Sequence, residues 1–155
     1  MAPTQILVTY YSETGGTKRM AEDIARGAEA AGAAVTLKPI EECTLTDFVD
    51  VDGLVVGSPT YFSNVAWQVK KLIDESIVLY RRDHQLQTKV GGCFTSSGTQ
   101  RDGKDCIRML ELAFGLHHRV KMIPGIIRVS GDSTTKTSAM CQAYGRRIAQ
   151  EAASQ

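Results

Sequence analysis

The chain contains 155 residues, of which 43% are hydrophobic and 23% are charged, and its formal net charge at pH 7 is +1. This length predicts one domain, spanning residues 1–155, with a sizeable core. A nearly neutral chain argues against nucleic acid as a main partner. The lack of a long apolar run argues against membrane insertion, and the first residues lack the basic and apolar regions of a secretion signal.

The four cysteines, Cys43, Cys93, Cys106 and Cys141, are widely spaced and include no C-x-x-C pair. This spacing argues against a zinc site or an iron–sulfur cluster, so we expect no metal. It favours reduced thiols and a cytoplasmic location.

Five short apolar segments have the length and composition of buried strands. They cover residues 5–11, 34–40, 53–61, 89–99 and 125–131, the third and fourth together with the loops that follow them. Longer segments with apolar residues at helical spacing predict helices at 17–31, 64–74, 105–116 and 138–152. Asn64 is the predicted cap of the second helix.

This alternation of strands and helices predicts an α/β fold, a doubly wound five-stranded parallel sheet with helices on both faces. Such sheets bind ligands beyond the carboxyl ends of their strands. We therefore expect the loops after strands one, three and four to carry the function.

The first loop, Ser12 to Thr17, contains three hydroxyl residues and two glycines and opens a helix. Free amides and the dipole of a helix N-terminus attract anions, and the hydroxyls add donors, so the loop predicts a phosphate site that needs no fixed cation. It matches neither the P-loop nor the dinucleotide fingerprint. The alternative is an ordinary strand-to-helix turn with Thr14 or Thr17 as its cap.

The second and third loops favour a flat heterocycle. "GSPTYFSN" (57–64) places Tyr61 and Phe62 where a ring could stack, although either could instead pack into the core. "FTSSGTQRDG" (94–103) presents backbone groups at close range to the edge of a ring, although alone it is more typical of a mobile surface loop.

Taken together, these motifs resemble a known family. Ser12-x-Thr14-Gly15-x-Thr17 resembles the FMN phosphate loop of flavodoxins, and "GSPTYFSNVAWQVKKLIDES" resembles the second flavin loop of flavodoxin-like NAD(P)H:quinone oxidoreductases and FMN reductases. "FTSSGT", "LHH" (116–118) and "IPG" (123–125) are similar to the quinone oxidoreductase group in particular. The resemblance implies a flavodoxin-like sheet of order 2-1-3-4-5.

The resemblance also implies FMN as cofactor and NAD(P)H as electron donor, with a quinone-like acceptor. It places the cofactor on three groups of residues: Ser12, Glu13, Thr14, Gly15, Gly16 and Thr17; Pro59, Thr60, Tyr61, Phe62, Ser63 and Asn64; Thr95, Ser96, Ser97, Gly98 and Thr99. It places His118 near the flavin face, as a catalytic residue, where the alternative is an ordinary surface or core histidine.

The chain departs from the family in its charge and in one segment. Electron-carrier flavodoxins are usually strongly acidic and this chain is not, which weakens the interpretation as a carrier that docks on redox proteins. Residues 76–87 resemble neither group. A one-electron carrier, a fold module without flavin and a homodimer all remain open from the sequence.

Overall fold

The computed structural model describes residues 2–155 as alternating strands and helices around one parallel sheet. The strands are β1 (Gln5–Tyr10), β2 (Ala34–Pro39), β3 (Gly53–Pro59), β4 (Val90–Ser97), β5 (Lys121–Met122) and β6 (Ile126–Val129). The α-helices are α1 (Gly16–Ala30), α2 (Leu45–Val49), α3 (Trp67–Glu75), α4 (Ile77–Arg81), α5 (Gln100–Glu111) and α6 (Thr134–Ala153). Within residues 2–155, none of the helices combines the length and apolar character needed to cross a membrane.

The sheet has the predicted order, β2-β1-β3-β4-β5, and all of its pairings are parallel. The expected doubly wound fold is therefore confirmed. One difference lies at the fifth position, where two short strands replace the predicted single strand. β5 pairs with the start of β4 and β6 with its end.

This split has a local cause in Pro124 and Gly125. Pro124 has no amide hydrogen to donate to the sheet. A Cβ on Gly125 would lie 2.8 Å from the Cys93 sulfur and 2.7 Å from Ile107, so this segment approaches β4 and α5 too closely for a larger residue.

Side chains alternate across β1 and build a core on each face. Leu7 faces the layer of α2, α3, α4 and α5, where it joins the buried Phe48 and Leu110. Ile6 and Val8 face α1 and α6. The two helices α1 and α6 pack without room for side chains at their crossing, because a Cβ on Gly27 or Gly145 would lie 1.9 Å from a carbonyl oxygen of the other helix.

The starts of the helices differ most from the predicted bounds, because the residues that cap them are not the predicted ones. α1 begins after Gly15, in the left-handed region at φ 95°, and no side chain caps it, so neither Thr14 nor Thr17 is the cap. Asn64 does not cap α3, which begins after Ala66. Thr99 caps α5, which starts five residues before the predicted Asp105, and a π-helical turn (Leu112–His117) follows it.

Candidate functional site

The loops after β1, β3 and β4 meet at one edge of the sheet, which we call the rim. The parallel register brings the strand ends together, since Tyr10 lies beside Gly57 and Pro59 beside Ser96. The rim borders an open cavity of about 340 Å³. Its lining residues are Ser12, Glu13, Thr14, Thr17, Pro59, Thr60, Tyr61, Ser96, Ser97, Gly98, Arg128 and Ser130.

The structure brings most of the sequence-predicted site residues to this rim. Ten of them line the cavity directly, all except Arg128 and Ser130 in the set above. Gly15 and Gly16 form the start of α1 beside it. Phe62, Ser63 and Asn64 belong to a turn next to Tyr61, Thr99 caps α5, and Thr95 is fully buried.

The first loop forms an open helix start. The Gly15 amide donates to the Ser12 hydroxyl oxygen at 3.1 Å, which fixes the curve of the loop. The first-turn amides of a helix have no intrahelical acceptor, and here no side chain caps them and no acidic residue lies in that turn. Positive φ at Gly15 favours glycine there, and the Arg19 guanidinium lies 3.3 Å from where a Cβ on Gly15 would be. The arrangement offers several amide hydrogens to one external anion.

A cation outside the three predicted groups of residues lies beside these amides. Arg128 is the neighbour of Ser96 in the sheet register, and its Nη1 lies 3.3 Å from where a Cβ on Gly16 would be. The sequence predicts a site that needs no fixed cation, and the structure places this cation close to it. The sequence signal for this cation is a single arginine within the apolar segment predicted as the fifth strand, two residues before Ser130.

The second loop contains a tight turn that displays an aromatic ring. Tyr61 and Asn64 exchange two backbone hydrogen bonds of 2.9 Å around Phe62 and Ser63, which have φ of 50° and 62°. Positive φ at both central residues is typical of a type I′ turn and costs about 1 kcal/mol or more for each non-glycine residue. The Phe62 side chain is fully exposed, at 103% of its reference area. A strained turn that holds a phenyl ring in solvent is characteristic of a binding site.

A hydrogen bond links the first two loops across the rim. The Tyr61 hydroxyl donates to the Glu13 carboxylate at 2.6 Å. This hydrogen bond, as the main cause, and partial burial, as the second, raise the pKa of Tyr61 to about 12. Ser63 donates to the Asp102 carboxylate at 2.9 Å, which ties the turn to α5. The turn that carries Phe62 is thus held at both sides.

The third loop is ordered by its own hydroxyl groups. The Thr60 and Thr95 hydroxyls share a hydrogen bond of 2.7 Å, and Ser97 donates to the Thr99 carbonyl at 2.7 Å. These contacts occupy Thr95 and Ser97 inside the protein. Ser96, which shares a 2.8 Å hydrogen bond with Thr17, and the exposed Gly98 line the cavity together with Ser97.

The structure does not bring His118 to the rim. Helices that follow parallel strands run back toward the strands' amino ends, so the end of α3 and the segment after α5 lie opposite the rim. There His118 is 4% exposed, and its Nε2 lies 2.8 Å from the Ser76 hydroxyl. It lines a separate cavity of about 570 Å³ together with Ile73 and Tyr80. Burial lowers the pKa of His118 from its ordinary value of 6.5.

Comparison with known proteins extends the description of this fold. Residues 7–140 match the family described as flavodoxin domain. The chain is 32% identical over 160 aligned positions to a protein named flavodoxin from Aquifex aeolicus, an alignment that covers 94% of this chain and 85% of that protein. It is 35% identical to NAD(P)H dehydrogenase (quinone) 3 of Rhizobium meliloti over 66% of this chain.

That second alignment covers 57% of the relative, so this chain spans little more than half of the length of the first quinone dehydrogenases it matches. Among solved structures, a flavodoxin, WrbA-like protein from Agrobacterium tumefaciens superposes with a TM-score of 0.83 at 29% identity. The superposition covers 97% of this chain and 98% of that one.

Proposed function

This chain belongs to the flavodoxin domain family, and from that premise we propose that it is an FMN-binding oxidoreductase that passes electrons from NAD(P)H to a quinone-like acceptor. One observation carries the proposal. The uncapped start of α1 and the exposed Phe62 lie at the same rim, so an anion site and an aromatic surface occur at one edge of the sheet, with Tyr61 in the cavity between them. Quinone dehydrogenases among the relatives support the choice of acceptor.

The residues present fit the phosphate of FMN. Gly15 and Gly16 place no side chain of their own beside the first-turn amides of α1, and Ser12 and Thr14 line the rim cavity next to them. Because the Ser12 oxygen already accepts the Gly15 amide, its hydroxyl hydrogen is available to a ligand. Amides that point outward from a helix start are suited to a phosphate group.

The second and third loops fit a flat ring. The turn at Phe62 presents a phenyl face without a competing protein partner, and Tyr61 lines the cavity next to it. Gly98 presents backbone rather than a side chain, and a Cβ there would meet no atom within 4 Å. A ring held between these loops would stack on an aromatic surface and meet backbone groups at its edge.

Bound FMN would supply the hydride and electron transfer chemistry. The chain's own residues would bind the phosphate, hold the ring and shield one side of it from water. The hydrogen bonds Tyr61–Glu13 and Ser63–Asp102 fix the loop that carries Phe62, so the stacking surface is preorganised. No side chain at the rim needs to act as a nucleophile in this scheme.

A second candidate function is electron transfer between proteins, without turnover of NAD(P)H. The 32% identical relative named flavodoxin, aligned over 85% of its length, favours it. The net charge of +1 argues against it, because docking by electrostatic attraction needs a surface of one dominant sign. The same rim would bind FMN in both cases, so only turnover separates the two.

The experiment has two stages. The visible spectrum of the purified protein, before and after addition of FMN, reports whether flavin binds, and a protein that takes up no FMN would refute both candidates. Flavin-loaded protein is then mixed with NADH or NADPH and a soluble benzoquinone. Continued oxidation of the nucleotide at a rate proportional to enzyme supports the oxidoreductase, whereas flavin binding without turnover supports the carrier.

A further inference from the structure

We propose that Arg128 makes the rim select a phosphorylated flavin over the uncharged form, riboflavin. This inference rests on the proposed binding of FMN at the rim. It assigns the selectivity to a side chain of β6, whereas the first loop alone would hold the phosphate by amides and hydroxyls.

The position of Arg128 supports this role. It lies on the last strand of the sheet, beside Ser96, whose hydroxyl bonds to Thr17 of α1. Its Nη1 would lie 3.3 Å from a Cβ on Gly16, the first residue of α1. The guanidinium group therefore lies close to Gly16, whose amide is one of those that the proposed phosphate would meet.

Arg128 has no carboxylate partner within residues 2–155, since no acidic oxygen lies within 4.0 Å of its nitrogens. Glu22 and Asp23 line a neighbouring cavity of about 410 Å³ that Arg128 also borders, and Glu13, whose carboxylate accepts the Tyr61 hydroxyl, lines the rim cavity with it. Asp23 is already paired with Arg26. A half-buried guanidinium without a counterion, beside an open helix start, has its charge available for a ligand.

The geometry of the two groups is complementary. A guanidinium presents parallel N–H groups that match two phosphate oxygens, and both partners are charged. Loss of one charge-assisted hydrogen bond of this kind costs about tenfold to a hundredfold in affinity. Riboflavin has no phosphate, so its affinity should not depend on Arg128.

The test measures the dissociation constants of FMN and riboflavin by quenching of flavin fluorescence in three variants. Arg128→Gln removes the charge, Arg128→Lys keeps the charge but loses the fork, and Arg146→Gln removes an equal charge from an exposed position late in α6. We expect Arg128→Gln to weaken FMN by about tenfold to a hundredfold and riboflavin by less than about twofold. Arg128→Lys should fall between, and Arg146→Gln should match the parent.

The selectivity ratio separates the outcomes. If Arg128→Gln weakened FMN and riboflavin equally, the residue would be structural, and if it changed neither, the phosphate would lie elsewhere. Both results would overturn the inference while leaving FMN binding intact. Failure of the parent protein to bind FMN would instead refute the proposed function. If Arg128→Gln did not fold, the Arg128→Lys variant and competition of inorganic phosphate with FMN in the parent protein would still decide. The inference would be contradicted if phosphate did not compete with FMN and if Arg128→Lys left the ratio of FMN to riboflavin affinity unaltered.

Discussion

Replacing Gly145 by alanine should destabilise the protein, because α1 and α6 touch at this position. The added Cβ would lie 1.9 Å from the backbone oxygen of Ile24 and 3.0 Å from the nitrogen of Ala28. A carbonyl in the middle of a helix cannot turn away as a side chain can, so the helices must separate by about 1 Å at the crossing. Overpacking of this kind costs up to about 3 kcal/mol, and the better helix propensity of alanine returns about 1 kcal/mol.

The net loss of about 2 kcal/mol corresponds to a Tm about 4–8 °C lower for a domain of this size. Thermal and urea unfolding measure it, with Gly98→Ala as the control, because a Cβ at Gly98 meets no atom within 4 Å. Separation of the helices also shifts α1, whose first turn forms the proposed phosphate site, so FMN affinity should fall as well. A Gly145→Ala protein as stable as the parent would refute this description of the crossing.

Three further predictions concern the rim and the residue that lies away from it. Thr14→Glu should weaken FMN at least about tenfold in an FMN titration, because it adds a negative charge beside the phosphate, whereas Thr36→Glu on the exposed edge strand should not. Phe62→Asn should lower FMN affinity by about threefold to tenfold in the same titration. Thermal stability should not fall, since asparagine tolerates φ near 50° and the phenyl ring has no protein contact to lose. Unchanged FMN affinity would exclude stacking on Phe62. His118→Gln should leave FMN affinity unchanged. Burial lowers the pKa of His118 below 6.5, so below that pH the unfolded chain binds more protons than the folded one. Urea unfolding of the parent should therefore show the free energy of unfolding falling as the pH drops from 6.5, with a smaller fall in the variant. Parallel pH profiles of the two proteins would contradict the burial of His118.

The sequence predicts the architecture well, because the apolar periodicities of strands and helices are local. β1, β3 and β4 lie within the predicted segments, and their alternation with helices predicts the parallel sheet, whereas the strand order was implied by the resemblance to flavodoxins. The split at Pro124 and Gly125 was harder to predict, since it depends on how closely Cys93 and Ile107 pack against Gly125. Such a contact between distant segments leaves no periodic signal in the sequence.

The starts of the helices were less predictable, since a residue type that often caps a helix can instead form hydrogen bonds in a turn. Asn64 has the side chain of a good cap, but it closes the turn around Phe62 and its Oδ1 accepts the Val65 amide at 2.7 Å. Short helices were missed for a related reason. α2 and α4 have five residues each, too few to show a clear period.

At the rim, the sequence identifies the loops but not every group in them. Motifs within one loop are visible in the sequence, as with Ser12 to Thr17. Arg128 was missed because it reaches the rim from the fifth strand position, through pairing with Ser96. His118 was placed near the flavin by resemblance, yet α5 carries the following segment to the opposite end of the sheet, beside Ser76.

The location of the ligand tests the account most directly. We would titrate isotope-labelled protein with FMN and follow the backbone amides by NMR. We predict the largest shifts at 12–17, 60–64 and 96–99, with saturation at one FMN per chain and little change at 112–118. Shifts centred on the cavity around His118, or no saturable shifts at the rim, would contradict it.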